Sequence, residues 1–465
     1  MQTKACIETA DLSVPLLDLR WNPAPTPCVV LLMAQTESEF SIETYTTLAA
    51  AEWRQCSLRS LPAGRHYSPR EQQKHEKAYD AAQRQVERAM KRAPRNRSQR
   101  LATQDRILDA FAEFSATALD LPDEAVQLIT RDFLPVGTAL ARWAHLFDPA
   151  LTMAEIVQAC RNAWTVCGLQ PLLGERAQIT PAIVGYSLLY PYSDNFLDRG
   201  DLSTFEKLRF SSRFRQRLQG HEIAPLNELE AAVWALIALI EGQYSRLVYP
   251  QVYACLLAIH QAQEESIAQL SPDCSDEDLL RLSCAKGGSS TATDGCLVRG
   301  WLLPDEFRFS FDWGALLQLG DDLQDVREDL QRASATLFTR AIHQGRPLDS
   351  LVAQLLNFSQ SVSNRMDHLA DGNQTLRELL KMSWQSLIIG AVAEIPAFFS
   401  PAGLAELERR SPFRFHFLRQ RNQRLKSTRG LYTILFAALL ESRTNSEGQL
   451  PSAIGLRTAA VECLV

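Results

Sequence analysis

Apolar residues recur at helical spacing along almost the whole chain, and this constrains the fold more than any other feature. In residues 226–240, Leu226, Leu229, Val233, Leu236, Ile237 and Ile240 follow i, i+3, i+4 spacing, and Leu247 extends the stripe. Strand-like signals are nearly absent. The one candidate is CVVLLMA at residues 28–34, after the proline-rich WNPAPTP. Breaks recur at LPDE (from Leu121), ITP (from Ile179), APLNE (from Ala224), SPDCSDED (from Ser271), QGRP (from Gln344) and SPAG (from Ser400). Several join a helix stop to an N-cap residue and an acidic first turn, which predicts roughly ten or more helices. The fold class expected is all-α.

The 465 residues suffice for a large core. Residues 1–60 read as an irregular N-terminal extension and 61–100 as a polar, basic helical segment. Residues 101–440 read as one large helical domain, and 441–465 as a C-terminal tail. Apolar content of 46% and charged content of 22% are those of an ordinary globular protein. A net charge of −6 offers no basic field for nucleic acid. The ten cysteines include no CxxC pair, and Cys160 and Cys167 lack zinc-site spacing, so reduced thiols in the cytosol are expected. The opening MQTKACIETADLS has no signal-peptide run, and no window reaches the roughly 20 apolar residues of a membrane span. Between residues 68 and 100 lie Arg84, Arg88, Lys91, Arg92, Arg95, Arg97 and Arg100. The plain reading is a solvated helix and linker. The sharper one is a peripheral contact with anionic lipid headgroups.

Against this apolar background, LQLGDDLQDVREDL at residues 317–330 carries five acids, Asp321, Asp322, Asp325, Glu328 and Asp329. On a wheel with Asp321 at zero, Asp325 falls at about 40°, Asp329 at about 80°, Glu328 at about −20° and Asp322 at about 100°. Leu319, Leu323, Val326 and Leu330 fall on the other side, between about 140° and 200°. The helix therefore has an acidic face and an apolar stripe. Carboxylates at i, i+4 repel each other and raise each other's pKa values unless a cation sits among them. Hard oxygen ligands without His or Cys suit Mg²⁺. A solvated acidic face is the ordinary alternative, with Arg327 and Arg332 as neutralising neighbours.

A second cluster upstream weighs against that alternative. YSLLYPYSDNFLDRGDL at residues 186–202 sets Asp194 and Asp198 at i, i+4, and Asp201 continues the face if the helix persists. Pro191 just before them removes a backbone hydrogen bond and should bend the helix. Two aspartate-bearing helices facing each other across a bundle could hold Mg²⁺ and grip a diphosphate leaving group. The carbocation left behind needs an apolar, aromatic cavity that excludes water. Tyr186, Tyr190, Tyr192 and Phe196 suit such a wall, although aromatics on a helix are more often plain core.

These residues resemble the class I isoprenoid synthases, which comprise trans-prenyltransferases, squalene/phytoene synthases and class I terpene cyclases. QLGDDLQD at residues 318–325 looks like the prenyltransferase FQxxDDxxD motif, and DVREDL at residues 325–330 looks like the squalene/phytoene synthase DxxED motif. DNFLD at residues 194–198 resembles the DxxxD of squalene/phytoene synthases. The resemblance covers roughly residues 162–380. It implies a large single helical bundle with a central apolar cavity, three Mg²⁺ ions and a prenyl diphosphate substrate. Asp194 and Asp198 would bind two ions from one side. Asp321, Asp325 and one of Asp322 or Asp329 would bind the third. RLSCAKGGSSTATDGCL at residues 281–297 carries Gly287-Gly288, which should break or loosen a helix. The resemblance makes Lys286 a diphosphate contact there, with Arg281 and Ser289 behind it, against the plain reading of an inter-helix loop. Arg429 and Tyr432 would match the late Arg–Tyr pair of terpene cyclases, in a stretch that otherwise reads as a basic surface helix.

Departures are equally legible. The N/DxxS/TxxxE motif of terpene cyclases is missing, and only Arg199 directly follows the first cluster, with Arg209 and Arg213 further on. The function expected is a Mg²⁺-dependent terpene synthase that ionises a prenyl diphosphate. The alternatives are condensation of two prenyl diphosphates, as in squalene/phytoene synthases or chain-elongating prenyltransferases, and a non-catalytic helical scaffold or lipid binder. A cytosolic protein with a membrane-surface contact, as a monomer or a homodimer, fits each of these.

Overall fold

The structure is a computed structural model that describes residues 41–90, 96–197, 202–266 and 274–427. Among them every regular element is helical and no strand occurs. In chain order the helices are α1 (Ile42–Gln55), α2 (Pro69–Met90), α3 (Arg97–Ala118), α4 (Asp123–Leu128), α5 (Leu134–Phe147), α6 (Met153–Leu172), α7 (Pro181–Leu189), α8 (Thr204–Leu218) and α9 (Glu228–Gln243). They continue with α10 (Pro250–Ser266), α11 (Asp276–Arg299), α12 (Pro304–Gln324), α13 (Val326–Arg332), α14 (Leu337–His343), α15 (Asp349–Asp367), α16 (Gln374–Glu394), α17 (Pro401–Arg409) and α18 (Phe415–Ser427). The strand candidate at residues 28–34 lies outside the described residues.

The helix starts follow local chemistry. Thr180, Asn227, Ser275 and Ser400 each accept a hydrogen bond from a backbone N–H in the first turn of the helix they precede. Pro181 and Pro401 sit at the first helical position, where no N–H is needed. Gly345, at φ 68°, follows the end of α14, as a left-handed stop requires. Four of the sequence breaks are therefore caps and one is a stop.

Helix α11 is the axis of the bundle, buried along most of its length from Leu279 to Val298. It packs against α1, α6, α7, α10, α12 and α14. The Gly287-Gly288 pair does not break it. A Cβ on Gly287 would strike the carbonyl oxygen of Gly314 on α12, and a Cβ on Gly314 would strike that of Gly287. Gly288 lies against the Phe311 ring. The glycines thus let two backbones touch, and the packing of that crossing outweighs the roughly 1 kcal/mol that glycine costs a helix.

Helix α7 is nearly all buried and seats Gly185 against the backbone of Leu236 on α9. Its hydrogen-bond pattern changes around Pro191. Residues Tyr190–Asp194 form a π-turn, followed by one further turn, Asn195–Leu197. Proline leaves a carbonyl without its usual donor, and a wider turn accommodates the gap. A second π-turn, Ile129–Phe133, joins α4 to α5 just before Pro135. Both deviations mark places where the helix register shifts by a residue.

Candidate functional site

The second acidic cluster straddles a helix junction. Helix α12 ends at Gln324, Asp325 takes φ −90° and ψ 6°, and α13 restarts at Val326. The backbone nearly continues, since Asp325 N–H donates to Asp321 O at 2.9 Å and Asp329 N–H to Asp325 O at 2.8 Å. Leu319, Leu323 and Val326 are buried, as the wheel requires. Asp322 departs from the wheel. It is buried rather than on the acidic face, where its Oδ2 accepts from Ser283 Oγ at 2.7 Å and its Oδ1 from Gln318 Nε2 at 2.9 Å. Asp322 therefore ties α12 to α11. The open face of the junction carries Asp321, Asp325, Glu328 and Asp329.

The junction crowds four acids beside two arginines, Arg332 at 2.6 Å from Glu328 and Arg161 at 3.5 Å from Asp321. Burial first, then the neighbouring Asp321 and Glu328, raise Asp325. Burial, followed by Asp322, Asp325 and Glu328, pushes Asp329 up to about 7. Burial raises Asp322 to about 6, with its two hydrogen bonds and then the Lys286 charge acting in opposition. A sign follows for stability. Each of these carboxyls holds its proton to higher pH when folded than when unfolded. Their contribution is full below about pH 4 and is lost as pH rises through the folded values. In the metal-free protein this contribution is expected to be lost between about pH 4 and pH 7, so Asp329→Asn should gain Tm relative to wild type across that range. Thermal melts across that range check both.

One face of α6 reaches Asn195, beside Asp194, and Asp321 in the second cluster. Gln158 and Asn195, the residue after Asp194, exchange amide hydrogen bonds at 3.4 and 3.3 Å. One turn further along α6, Arg161 Nη2 lies 3.5 Å from Asp321 Oδ1. Next to it, Asn162 Nδ2 donates to Asp294 Oδ1 on α11 at 3.0 Å and to Ser187 Oγ on α7 at 3.2 Å. Asp294 is fully buried, and burial drives its carboxyl well above the usual range.

Helix α11 makes a matching row. Ser283 holds Asp322, and Lys286, half-buried, follows one turn on. Ser290, a further turn on, meets the Tyr190 hydroxyl and lies 3.3 Å from that of Tyr186. The two acid-bearing segments are therefore linked through both α6 and α11, with Lys286 between the Asp322 and Tyr190 contacts.

The remaining sequence candidates fall elsewhere or outside the description. Arg281 does not stand behind Lys286. Its guanidinium pairs with Glu43 on α1 and donates to Thr47 Oγ1 at 3.1 Å. Five residues separate the two positions, so a helix points them to different sides. Ser289 is fully buried and its hydroxyl has no hydrogen-bond partner among the described residues, while its neighbour Ser290 takes the tyrosine contacts. The backbone of Asp194 closes the π-turn. Asp198, Asp201, Arg429 and Tyr432 lie outside the described residues. Among the described residues, no three Asp, Glu, His or Cys side chains are grouped so as to hold a metal ion by themselves.

No protein-family model matches the chain, and no curated protein is significantly similar to it. The site is therefore read from its own residues.

Arg161, Asn162, Ser283, Ser290 and Asp294 did not stand out in the sequence. Asp294 carried a usable signal. It lies two turns after Lys286 and one after Ser290, an acid on the helix face that carries the lysine and the small residues Gly287, Ser290 and Thr291. Arg161 carried none, because a single arginine on an amphipathic helix is commonplace. Beside Tyr186 and Tyr190 is a cavity of about 30 Å³, lined also by Leu189, Phe214 and Ile259. That is room for a water rather than for a hydrocarbon chain. No described helix is long and apolar enough to cross a membrane.

Proposed function

We propose that the chain is a Mg²⁺-dependent class I isoprenoid-diphosphate enzyme, a terpene synthase that ionises a prenyl diphosphate and turns the carbocation into a terpene. The observation that carries this reading is the reach of α6, from Gln158 at the first cluster to Arg161 at the second. Two motifs far apart in sequence are thereby tied to one helix face.

The donor set fits the metal. Asp321, Asp325 and Asp329 offer hard carboxylate oxygens on the open face, and burial first, then the neighbouring acids, raise Asp325 and Asp329. Asp322 has both oxygens engaged by Ser283 and Gln318, so it would position the helix, and the carboxylates of the open face would share each ion with the opposite cluster, water and diphosphate. Asp194 and Asp198 would supply the opposite side. Bound Mg²⁺ supplies charge neutralisation for a departing diphosphate.

The rest falls to the chain's own side chains. Lys286 would meet a phosphate oxygen as a point charge, and Arg161 would exchange Asp321 for the incoming anion. Tyr186 and Tyr190 would face the allylic cation with their rings. The 30 Å³ cavity beside them implies that α7 and its neighbours part when a prenyl tail enters.

Lys286→Met is expected to weaken inorganic diphosphate binding in the presence of Mg²⁺ by about 10-fold or more, the scale of one lost charged hydrogen bond. It should raise KM more than it lowers kcat. Isothermal titration with inorganic diphosphate and Mg²⁺ reads the first. Unchanged affinity would remove Lys286 from the site.

A second reading, condensation of two prenyl diphosphates, draws on Asp325 and Asp329 bracketing the start of α13 as the DVRED motif. Product carbon number decides between the two. A product with the carbon of two substrates identifies condensation.

A further inference from the structure

A roomier apolar space lies away from the aspartates. A cavity of about 310 Å³ opens between α2, α3, the π-turn Ile129–Phe133 and α5, with walls that include Val86, Ile107, Ala110, Phe111, Phe114 and Leu134. We propose that it binds a neutral hydrocarbon chain of isoprenoid length.

The lining chemistry selects that occupant. None of the described residues that line the cavity is charged. The polar ones are already engaged. Gln83 donates to Glu87 Oε1 at 2.9 Å, and Thr130 Oγ1 donates to Val126 O at 2.8 Å. The Tyr79 ring packs edge-on against Phe114, Phe413 and Phe417. A ligand with polar groups would leave them without partners here. An extended peptide meets the same obstacle, since its backbone N–H and C=O groups need partners that this wall does not offer. A hydrocarbon needs none. The volume sits at the small end of the range of ligand pockets, which suits one slender chain.

The position links the cavity to the candidate site. Trp164, one turn beyond Arg161 on α6, donates from Nε1 to Phe133 O in the π-turn at 3.1 Å. Gly137 on α5 leaves room for the Trp164 ring, which a methyl group at that position would approach to 3.2 Å. A chain in the cavity would press on the wall that α6 supports. The isoprenoid identity of the chain rests on the proposed function, because loss of diphosphate leaves a product with no charged handle. The cavity's preference for hydrocarbon does not rest on it.

Equilibrium binding of the C15 hydrocarbon β-farnesene, measured by headspace partition, tests the proposal on the full chain. Wild type and Asp325→Asn should each bind about one molecule, unaffected by Mg²⁺ and inorganic diphosphate. Ala82→Phe, at the half-exposed wall, and Ala110→Phe, at the buried wall, fill the space and should each weaken binding at least 10-fold. Circular dichroism checks that both variants fold. Flotation with phosphatidylcholine vesicles is the second arm. Absence of farnesene binding to wild type would overturn the site, as would full binding in both filled variants or displacement by Mg²⁺ with diphosphate. Co-flotation with vesicles but no uptake of free farnesene would also overturn it, and would assign the cavity to membrane acyl chains. Farnesene binding by a protein that releases no diphosphate would sink the proposed reaction and leave the site standing.

Discussion

Asp325→Asn and Asp321→Asn should each slow Mg²⁺-dependent diphosphate release from a prenyl diphosphate by about 10²- to 10³-fold, the scale on which loss of one preorganised electrostatic group is felt. Both residues occupy the open face of the α12–α13 junction, where Asp325 is raised by burial and by its acidic neighbours. Replacing one carboxylate by an amide removes a ligand charge and relieves repulsion at the same time. The metal-free Tm of Asp325→Asn should therefore equal or exceed that of wild type, which separates a catalytic loss from a folding defect. Asp322→Asn should behave differently. Its two oxygens accept from Ser283 and Gln318, and an amide can accept with only one of its two polar atoms. The amide nitrogen cannot accept, so one contact must reverse, with the Ser283 hydroxyl turning to accept, and a cost of about 1 kcal/mol of stability is expected. Thermal melts and a diphosphate-release assay on the three variants together read out which residues ligate and which position. Full activity in Asp325→Asn would remove the second cluster from the chemistry.

The second large effect concerns the crossing of α11 and α12. Gly287→Ala and Gly314→Ala each put a methyl group into the partner's backbone carbonyl. Backbone does not yield as a side-chain tip does, so the helices must separate. A cost of roughly 3 kcal/mol or more is expected, at or beyond the usual upper range for overpacking. Separation also moves Ser283 away from Asp322, so Lys286 and the aspartates lose their common frame. Gly390→Ala on α16 is the contrast. A Cβ there meets nothing within 4 Å, and removing an interior glycine should stabilise that helix by about 0.5–1 kcal/mol. Denaturant unfolding of the three variants gives the comparison. Equal effects at Gly287 and Gly390 would contradict the close crossing.

The misreading of Gly287-Gly288 has a physical cause. Propensity treats glycine as a helix breaker, yet a pair of glycines facing Gly314 and Phe311 permits backbone contact, and that contact is invisible until the partner helix is known. Helix starts were more legible, because Thr180, Asn227, Ser275 and Ser400 act through neighbours within three residues. The wheel for residues 317–330 placed Leu319, Leu323 and Val326 correctly in the core. It misassigned Asp322, since a wheel shows which side a residue faces but not that Ser283 waits there. Asn162 was missed for the same reason, being meaningful only with Asp294 beside it. The pairing of Arg281 with Glu43 was not legible, because α1, the helix that supplies Glu43, belongs to a region read as irregular.

The central claim is that the two aspartate clusters act together, through Mg²⁺, on one diphosphate. Release of inorganic diphosphate by the purified full chain, from prenyl diphosphates of C10 to C30 with and without Mg²⁺, tests it most directly. Release from at least one chain length, abolished by chelation and restored by Mg²⁺, is the predicted result. No release from any chain length, together with no Mg²⁺-dependent thermal stabilisation by inorganic diphosphate, would contradict it.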